Sequence, residues 1–314
     1  MPRVHVLHES PEWYAPLHAA LDGAGVPHQE IFLDQGTVDV TTPPPEGVYF
    51  NRLSGTAHTR GHVLAVEHAR AVLRWLESHD RRVINSLAAL EIAMSKTALC
   101  AAMSSFGIAV PRTISAVGLD RVVEAARSFT GSFLVKPNRS GKGIGIQEFD
   151  DVEELDRAVS AGEFGGSVDG VYVVQERILS PDPFITRCEF VGGQLVYAVA
   201  SRTGGGFNLC PTDALCDVPL ITNYDGPRFS IRDGFKHPII EVYRRFMERH
   251  GIEVCAIEFI VDRAGNPFTY DLNINTNYNA EAERQAGLSG MHAIARFLAR
   301  ELMRLRPLRT AGAL

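Results

Sequence analysis

At 314 residues the chain has room for about two domains, or three small ones, and its 45% hydrophobic and 22% charged residues are those of an ordinary folded, soluble protein. A formal net charge of −6 repels nucleic acid on average, no apolar run approaches the ~20 residues that span a bilayer, and the N-terminus lacks a basic-then-apolar signal layout, so neither nucleic acid nor membrane is an expected partner. Five scattered cysteines (Cys100, Cys188, Cys210, Cys216 and Cys255), with no CxxC pair, argue against a disulfide framework or zinc site and for a cytoplasmic location.

In chain order, "RVHVLH" reads as a strand and "WYAPLHAALDGAG" as a helix closed by glycine. "PHQEIFL" is a second strand, "TTPPPEG" a stiff loop and "GVYFNRL" a third strand. From about His62 a long helix carries Val63, Val66, Ala69, Leu73 and Leu76 at helical spacing, and "RRVINS" is a fourth strand. This alternation predicts a small parallel-sheet α/β domain ending near Ser86. One helix, "LAALEIAMSKTALCAAMSSFG", is expected up to Gly107, where a C-terminal cap belongs. The strands "IAVPRTISA", "SFLVKP", "GIQEF" and "VYVVQERI" follow, with a helix from Val152 to Val159 before the last of them. From Pro183 strands dominate: "FITRCEFV", "QLVYAVASR", "EVCAIEFIVD" and "PFTYDLNIN", interrupted by a helix from Pro238 to His250. A final helix gathers Ile294, Phe297, Leu298 and Leu302 on one face, with Arg296, Arg300 and Arg304 elsewhere.

The loop in "LVKPNRSGKGIGI" joins two of these strands. It is no P-loop, because Lys136 stands where GxxxxGK needs its first glycine and Gly143 where the hydroxyl should be. It is no dinucleotide fingerprint either, since the glycines alternate and lead into a strand rather than a helix. What remains is a glycine-rich loop whose bare backbone N–H groups can approach phosphate, with Lys136 adding a point charge; the residues alone leave a ligand-free turn open.

A second constellation is "CAIEFIVDRAGNPFTYDLNIN", read as a hairpin with "RAGN" as a four-residue turn. If Asp262 pairs with Pro267, Glu258 falls opposite Asp271, with Cβ atoms ~5 Å apart, and Asn273 shares the face of Asp271. Two carboxylates and an amide oxygen make a hard-oxygen site of the kind Mg²⁺ takes beside nucleotide phosphates, and the apolar flanks of Glu258 argue against high exposure.

Lys136 ahead of the glycine loop, together with Glu258, Asp271 and Asn273 on a late hairpin, resembles the ATP-grasp superfamily. More narrowly, the chain is similar to the glutamate ligases that modify ribosomal proteins and to the carrier-protein ligases of lysine biosynthesis. The resemblance covers roughly residues 90 to 300. It implies a mixed α/β and α+β architecture: an N-terminal parallel-sheet domain over 1–86, a subdomain with a phosphate lid over 87–178, and a subdomain with the metal site over 179–314, the last two clasping ATP.

By motif, the resemblance makes Lys96 and Lys136 nucleotide lysines and places Ser140, Gly141, Lys142, Gly143 and Gly145 in the lid. Gln175, Glu176, Arg177 and Ile178 would run beside adenine. Asp182 would reach ribose, with a plain turn residue as the alternative. Arg187 and Arg202 would face the transferring phosphoryl group, and Asn208 would lie near a metal held by Glu258, Asp271 and Asn273. The implied activity is an ATP-dependent carboxylate–amine ligase working through an acyl phosphate with Mg²⁺, or Mn²⁺ in its place. A kinase acting on a small-molecule hydroxyl and a non-catalytic nucleotide-binding module are the alternatives. Small-molecule carboxylates and amines are the implied substrates, a peptide or carrier protein is a further acceptor class, and a homo-oligomer is the expected assembly.

Two departures bear on substrate. The second metal carboxylate is Asp271 where relatives usually have glutamate, and "INTNYNAEAE" replaces their turn through small residues and proline. Asn275 and Asn277 are therefore candidates for a reshaped acceptor pocket. At the C-terminal end of the third strand, where α/β sheets place ligands, Asn51, Arg52, His58 and Arg60 could grip an anionic substrate, an arginine through two hydrogen bonds; a solvated loop is the competing reading.

Overall fold

The computed structural model describes residues 1–203 and 227–305. The elements run β1 (Arg3–His8), α1 (Pro11–Gly23), β2 (His28–Phe32), β3 (Gly47–Asn51), α2 (Ala65–Ser78), β4 (Arg82–Ile84), α3 (Leu87–Ala93), α4 (Lys96–Ser105), β5 (Thr113–Val117), α5 (Leu119–Ala126), β6 (Phe133–Pro137), β7 (Gln147–Phe149), α6 (Val152–Ser160), β8 (Val171–Glu176), β9 (Phe184–Val191), β10 (Gln194–Arg202), β11 (Phe229–Ile231), α7 (Ile239–Arg249), β12 (Val254–Val261), β13 (Pro267–Asn273), α8 (Ala280–Ala286) and α9 (Gly290–Arg304). A 3₁₀ turn, Ala57–Arg60, precedes α2.

Three sheets result: a parallel one in the order β2-β1-β3-β4, an antiparallel one in the order β5-β8-β6-β7, and an antiparallel one in the order β11-β10-β9-β12-β13. The first and third share their cores. One cluster joins Tyr49 and Leu73 to Cys188, Phe246, Ile257 and Leu272. Another joins Val6 and Phe50 to Val199, Val254, Ile294 and Leu298. The middle sheet has a core of its own, in which Phe133, Val135 and Phe149 pack against Val122 of α5 and Leu155 of α6. No single helix among the described residues is long and apolar enough to cross a membrane.

The expected helix up to Gly107 is two helices, α3 and α4, bent by 108°. Ser95 is the reason: its backbone is extended, and its hydroxyl accepts from Ala98 N as the N-cap of α4. Asn138, just beyond β6, completes that cap, its Oδ1 accepting from Thr97 N at 2.9 Å and from Ser95 Oγ at 3.0 Å. The expected hairpin turn also differs. Val261 rather than Asp262 pairs with Pro267, leaving Asp262–Asn266 as a loop whose N–H groups bond the Asp262 carboxylate. The helices α5 and α8 and the short strand β11 were not read from the sequence.

Candidate active site

The hairpin β12–β13 builds the centre of the site. Its register starts one residue away from the sequence expectation, yet Glu258 still faces Asp271, because a bulge between Glu258 and Phe259 on one strand and Asp271 and Thr269 on the other restores the pairing. Thr269 and Leu272 both turn into the core, Thr269 through a 2.6 Å bond with the Tyr243 hydroxyl. The two residues between them, Tyr270 and Asp271, therefore share the opposite face, which strict alternation forbids and a bulge permits. Tyr270 donates to Glu258 Oε2 at 3.1 Å, and Asn273 Nδ2 donates to Asp271 Oδ2 at 3.0 Å.

Cations converge on these carboxylates from three elements. Lys96, the first residue of α4, reaches Asp271 Oδ1 at 3.0 Å. Its N–H donates to the Asn138 carbonyl, so the start of α4 and the end of β6 are tied together, and with them Lys96 and Lys136. Lys136, 3% exposed, donates to Gln175 Oε1 at 2.7 Å. Arg187 lies opposite Glu258 in the β9–β12 register. It donates to Glu258 Oε1 at 2.6 Å, to Glu189 Oε1 at 2.6 Å and to Thr276 Oγ1 at 2.8 Å.

The electrostatics follow from burial and these partners. Burial, and then the neighbouring Lys96 charge, lower Lys136 to about 8. Burial pushes against Lys96 too, but Asp271 outweighs it and holds that ammonium above its usual range. Burial raises Glu258 more than Arg187 lowers it, and Asp271 adds repulsion, so this carboxyl sits high. For Asp271 burial also raises, but Lys96 and Lys136 prevail and the carboxyl sits low.

The glycine loop lies across this cluster. Lys142, Gly143 and Gly145 have φ of 59°, 74° and 75°, a left-handed path that glycine takes freely and Lys142 does not. A Cβ on Gly141 would meet Thr56 Cγ2 at 2.8 Å, so the loop rests on the segment after β3. The Lys142 ammonium stands 4.6 Å from the centre of the Trp13 ring, and the Arg60 guanidinium 4.0 Å from it.

One cavity gathers Lys96, Lys136, Ser140, Gly141, Lys142, Gly143, Arg187, Glu258, Asp271, Asn273, Asn275 and Asn277. A second, of about 260 Å³, is more apolar and holds Gln175, Glu176, Arg177, Ile178 and Asp182 with Leu134, Ile185 and Ile260. Lys136, Ile146 and Tyr270 line both, so the two form one continuous cleft. The side chains of Glu176 and Arg177 turn to protein partners, Arg112 N at 3.2 Å and Glu148 at 2.5 Å. Gly145 lies behind the cluster, beside Pro137.

Some residues singled out in the sequence are not gathered. Asn51 is fully buried and exchanges bonds with Asn85 and Leu53 N, fastening β3 to β4. Arg52, 2% exposed, donates to Asn275 Oδ1, the Trp13 and Thr276 carbonyls and Asn277 Oδ1. Its guanidinium is spent on positioning protein groups, and the substrate grip read from the sequence is corrected accordingly. Arg60 pairs with the buried Glu9 and Thr56. His58 lines a neighbouring hollow with Gly145 and Phe164. Arg202 ends β10 opposite Phe184, and Asn208 lies outside the described residues. Trp13, Thr56, Glu189, Tyr270 and Thr276 escaped the sequence reading. The Arg187/Glu189 and Asn275/Asn277 alternation with inward Thr276 is the one signal that could have found two of them.

No family model matches the sequence, and no curated protein matches it. Solved structures do. A RimK domain ATP-grasp protein from Sphaerobacter thermophilus aligns at TM-score 0.65 and 17% identity over 94% of this chain and 98% of its own. The chain has the ATP-grasp fold. The ATP-grasp ligase PsnB complexed with a minimal precursor aligns at TM-score 0.66 and 15% identity over 98% and 100%. D-alanine–D-alanine ligase from Bacillus anthracis, complexed with ATP, aligns at 0.63 and 14% over 97% and 98%. Within this ATP-grasp fold the cleft described above lies between the middle and third sheets, under the glycine loop.

Proposed function

We propose that the chain is an ATP-dependent ligase that activates a carboxylate as an acyl phosphate and joins it to an amine, releasing ADP and phosphate. The observation that carries this reading is the convergence of Glu258 and Asp271, set opposite each other by the bulge, with Lys96, Lys136 and Arg187 under a glycine loop. The apolar stretch of the cleft suits adenine, with Gln175 to Ile178 along one side and Asp182 near ribose. The loop, Lys142 and the two buried lysines suit the phosphates. Solved ATP-grasp ligases of the same fold, one of them complexed with ATP, support the nucleotide assignment.

Glu258, Asp271 and Asn273 fit a divalent cation: the donors are hard oxygens once the Asn273 amide is turned over, and a buried carboxylate, Glu258, faces a partly exposed one, Asp271. Mg²⁺, or Mn²⁺, held there would neutralise phosphate charge. The chain's own residues supply the rest. The substrate carboxylate oxygen attacks the γ-phosphorus and the bond to ADP breaks; Lys136, Lys96 and Arg187 stabilise the charge spread over the phosphoryl oxygens. The amine nitrogen then attacks the acyl carbon, the bond to phosphate breaks, and the amine proton leaves. The closed loop keeps water from the acyl phosphate meanwhile.

Purified protein given ATP, Mg²⁺ and pooled carboxylates and amines is expected to release ADP only when carboxylates are present. Asp271→Ala is expected to cut the rate by at least about 100-fold. ADP release indifferent to carboxylate, or to Asp271, contradicts the assignment.

A further inference from the structure

A further cavity, about 400 Å³, opens beside the catalytic one and shares two of its walls, Trp13 and Asn277. The two cavities differ in charge. Lys96, Lys136, Lys142 and Arg187 line the catalytic side, and Arg60 stands over the Trp13 ring. Among the described residues no lysine or arginine lines the further cavity; its charged residues are Glu12 and Glu283, set among Trp13, Tyr278, Met291 and His292.

This pocket is built rather than incidental. Glu283 is 8% exposed and fixed through one oxygen, Oε1, which accepts from the Tyr197 hydroxyl and from Gly290 N, both at 2.6 Å. Its Oε2 has no hydrogen-bond partner among the described residues. The Tyr278 hydroxyl is buried and also lacks a partner among them. Gly290 lets α9 begin flat against the Tyr278 ring, since a Cβ there would lie 2.3 Å from Cζ. The shared wall is pinned from the cationic side, Arg52 donating to Asn277 Oδ1 at 3.3 Å and Arg60 stacking on Trp13 at 4.0 Å.

We propose that this cavity takes the amine substrate, as an ammonium on an apolar or aromatic group with no carboxylate beside it. The assignment rests on the ligase reading and narrows its acceptor class. An ammonium meets the Glu12 and Glu283 carboxylates, and an apolar or aromatic group the walls of Trp13, Tyr278 and Met291. An amino acid would bring its own carboxylate into a pocket lined by two acids and, among the described residues, by no lysine or arginine, and like charge disfavours it. The anionic donor and its phosphate are held across the same wall by lysines and arginines, so each cavity repels the other's substrate.

The chain has two tryptophans, Trp13 and Trp75, so a Trp75→Phe protein reports on Trp13 alone. Its fluorescence would be followed while phenethylamine, phenylalanine or 3-phenylpropionate is added, with ATP binding measured separately by calorimetry. Phenethylamine is expected to bind saturably and at least about tenfold more tightly than phenylalanine, and phenylpropionate not to bind. Glu12→Gln, at an exposed position that leaves the fold alone, and Glu283→Gln, which keeps an acceptor for Tyr197, are each expected to weaken phenethylamine while ATP affinity stays put. Phenylalanine binding as well as phenethylamine, phenethylamine binding unmoved in both variants, or no amine binding by protein that binds ATP would overturn the assignment. Protein that binds no ATP would overturn the ligase reading beneath it.

Discussion

Lys136 is the side chain whose environment makes the sharpest demand. Burial and Lys96 hold it at about 8, below the ordinary lysine range near ~10.4. The folded protein therefore binds fewer protons than the unfolded chain between those values, and this group's contribution to stability rises with pH across that window. Phosphate binding has the opposite sign, because only the ammonium attracts it. The KM for ATP is expected to climb as pH rises through 8, by up to about tenfold per unit, and Lys136→Met should give a weaker but flat profile; a wild-type profile flat from pH 7 to 9.5 contradicts this. Arg52 makes a stability prediction instead. Arg52→Met leaves several buried acceptors without donors, each costing about 1–3 kcal/mol, so urea denaturation should show a loss of about 3 kcal/mol or more. Residue identity alone could not reveal that role, because the acceptors of Arg52 near residue 275 are brought to it by the fold.

Element boundaries explain where local pattern reading worked and where it stopped. Strands such as β9 and β10 were legible as runs rich in β-branched, aromatic and other apolar residues. The α3–α4 break was not, because both helices are apolar and the serine between them looks like an interior residue until Asn138 arrives to share its cap. Ser95→Ala is expected to cost about 1 kcal/mol in thermal or urea unfolding and to raise the KM for ATP, since the same turn aims Lys96. The bulge in β13 was invisible for a different reason. A misplaced turn and an extra residue cancelled, so Glu258 and Asp271 came out opposite each other for a reason the register did not contain. Deleting Tyr270 would remove the bulge and restore strict alternation, with Thr269 and Leu272 still in the core and Asp271 still opposite Glu258, so what the extra residue adds is the Tyr270 hydroxyl on the same face. Tyr270→Phe, which keeps the bulge and loses only the bond to Glu258, should retain the fold and most ATP binding. Loss of ATP binding or of the fold in Tyr270→Phe would contradict this.

At the scale of the molecule, the cleft is floored by a unit with shared cores, the first and third sheets, and roofed by the middle sheet with a core of its own. The general layout was legible because strand–helix alternation and hairpin runs set the sheets. How the first segment reaches the site was not, since Trp13 and Thr56 carry no motif. Their contacts with Gly141 and Lys142 place the loop against α1 and the segment after β3, and ATP should reinforce that placement: trypsin cleavage after Arg139 and Lys142 is expected to slow with ATP and Mg²⁺, and an unchanged rate contradicts closure of the loop over phosphate. Carboxylate activation is tested most directly by hydroxylamine trapping, which needs no knowledge of the natural amine. Protein, ATP, Mg²⁺, hydroxylamine and pooled carboxylates are expected to give a hydroxamate with an equivalent of ADP, abolished in Asp271→Ala. ADP formed without hydroxamate, or a stable phosphate ester in its place, would contradict an acyl phosphate.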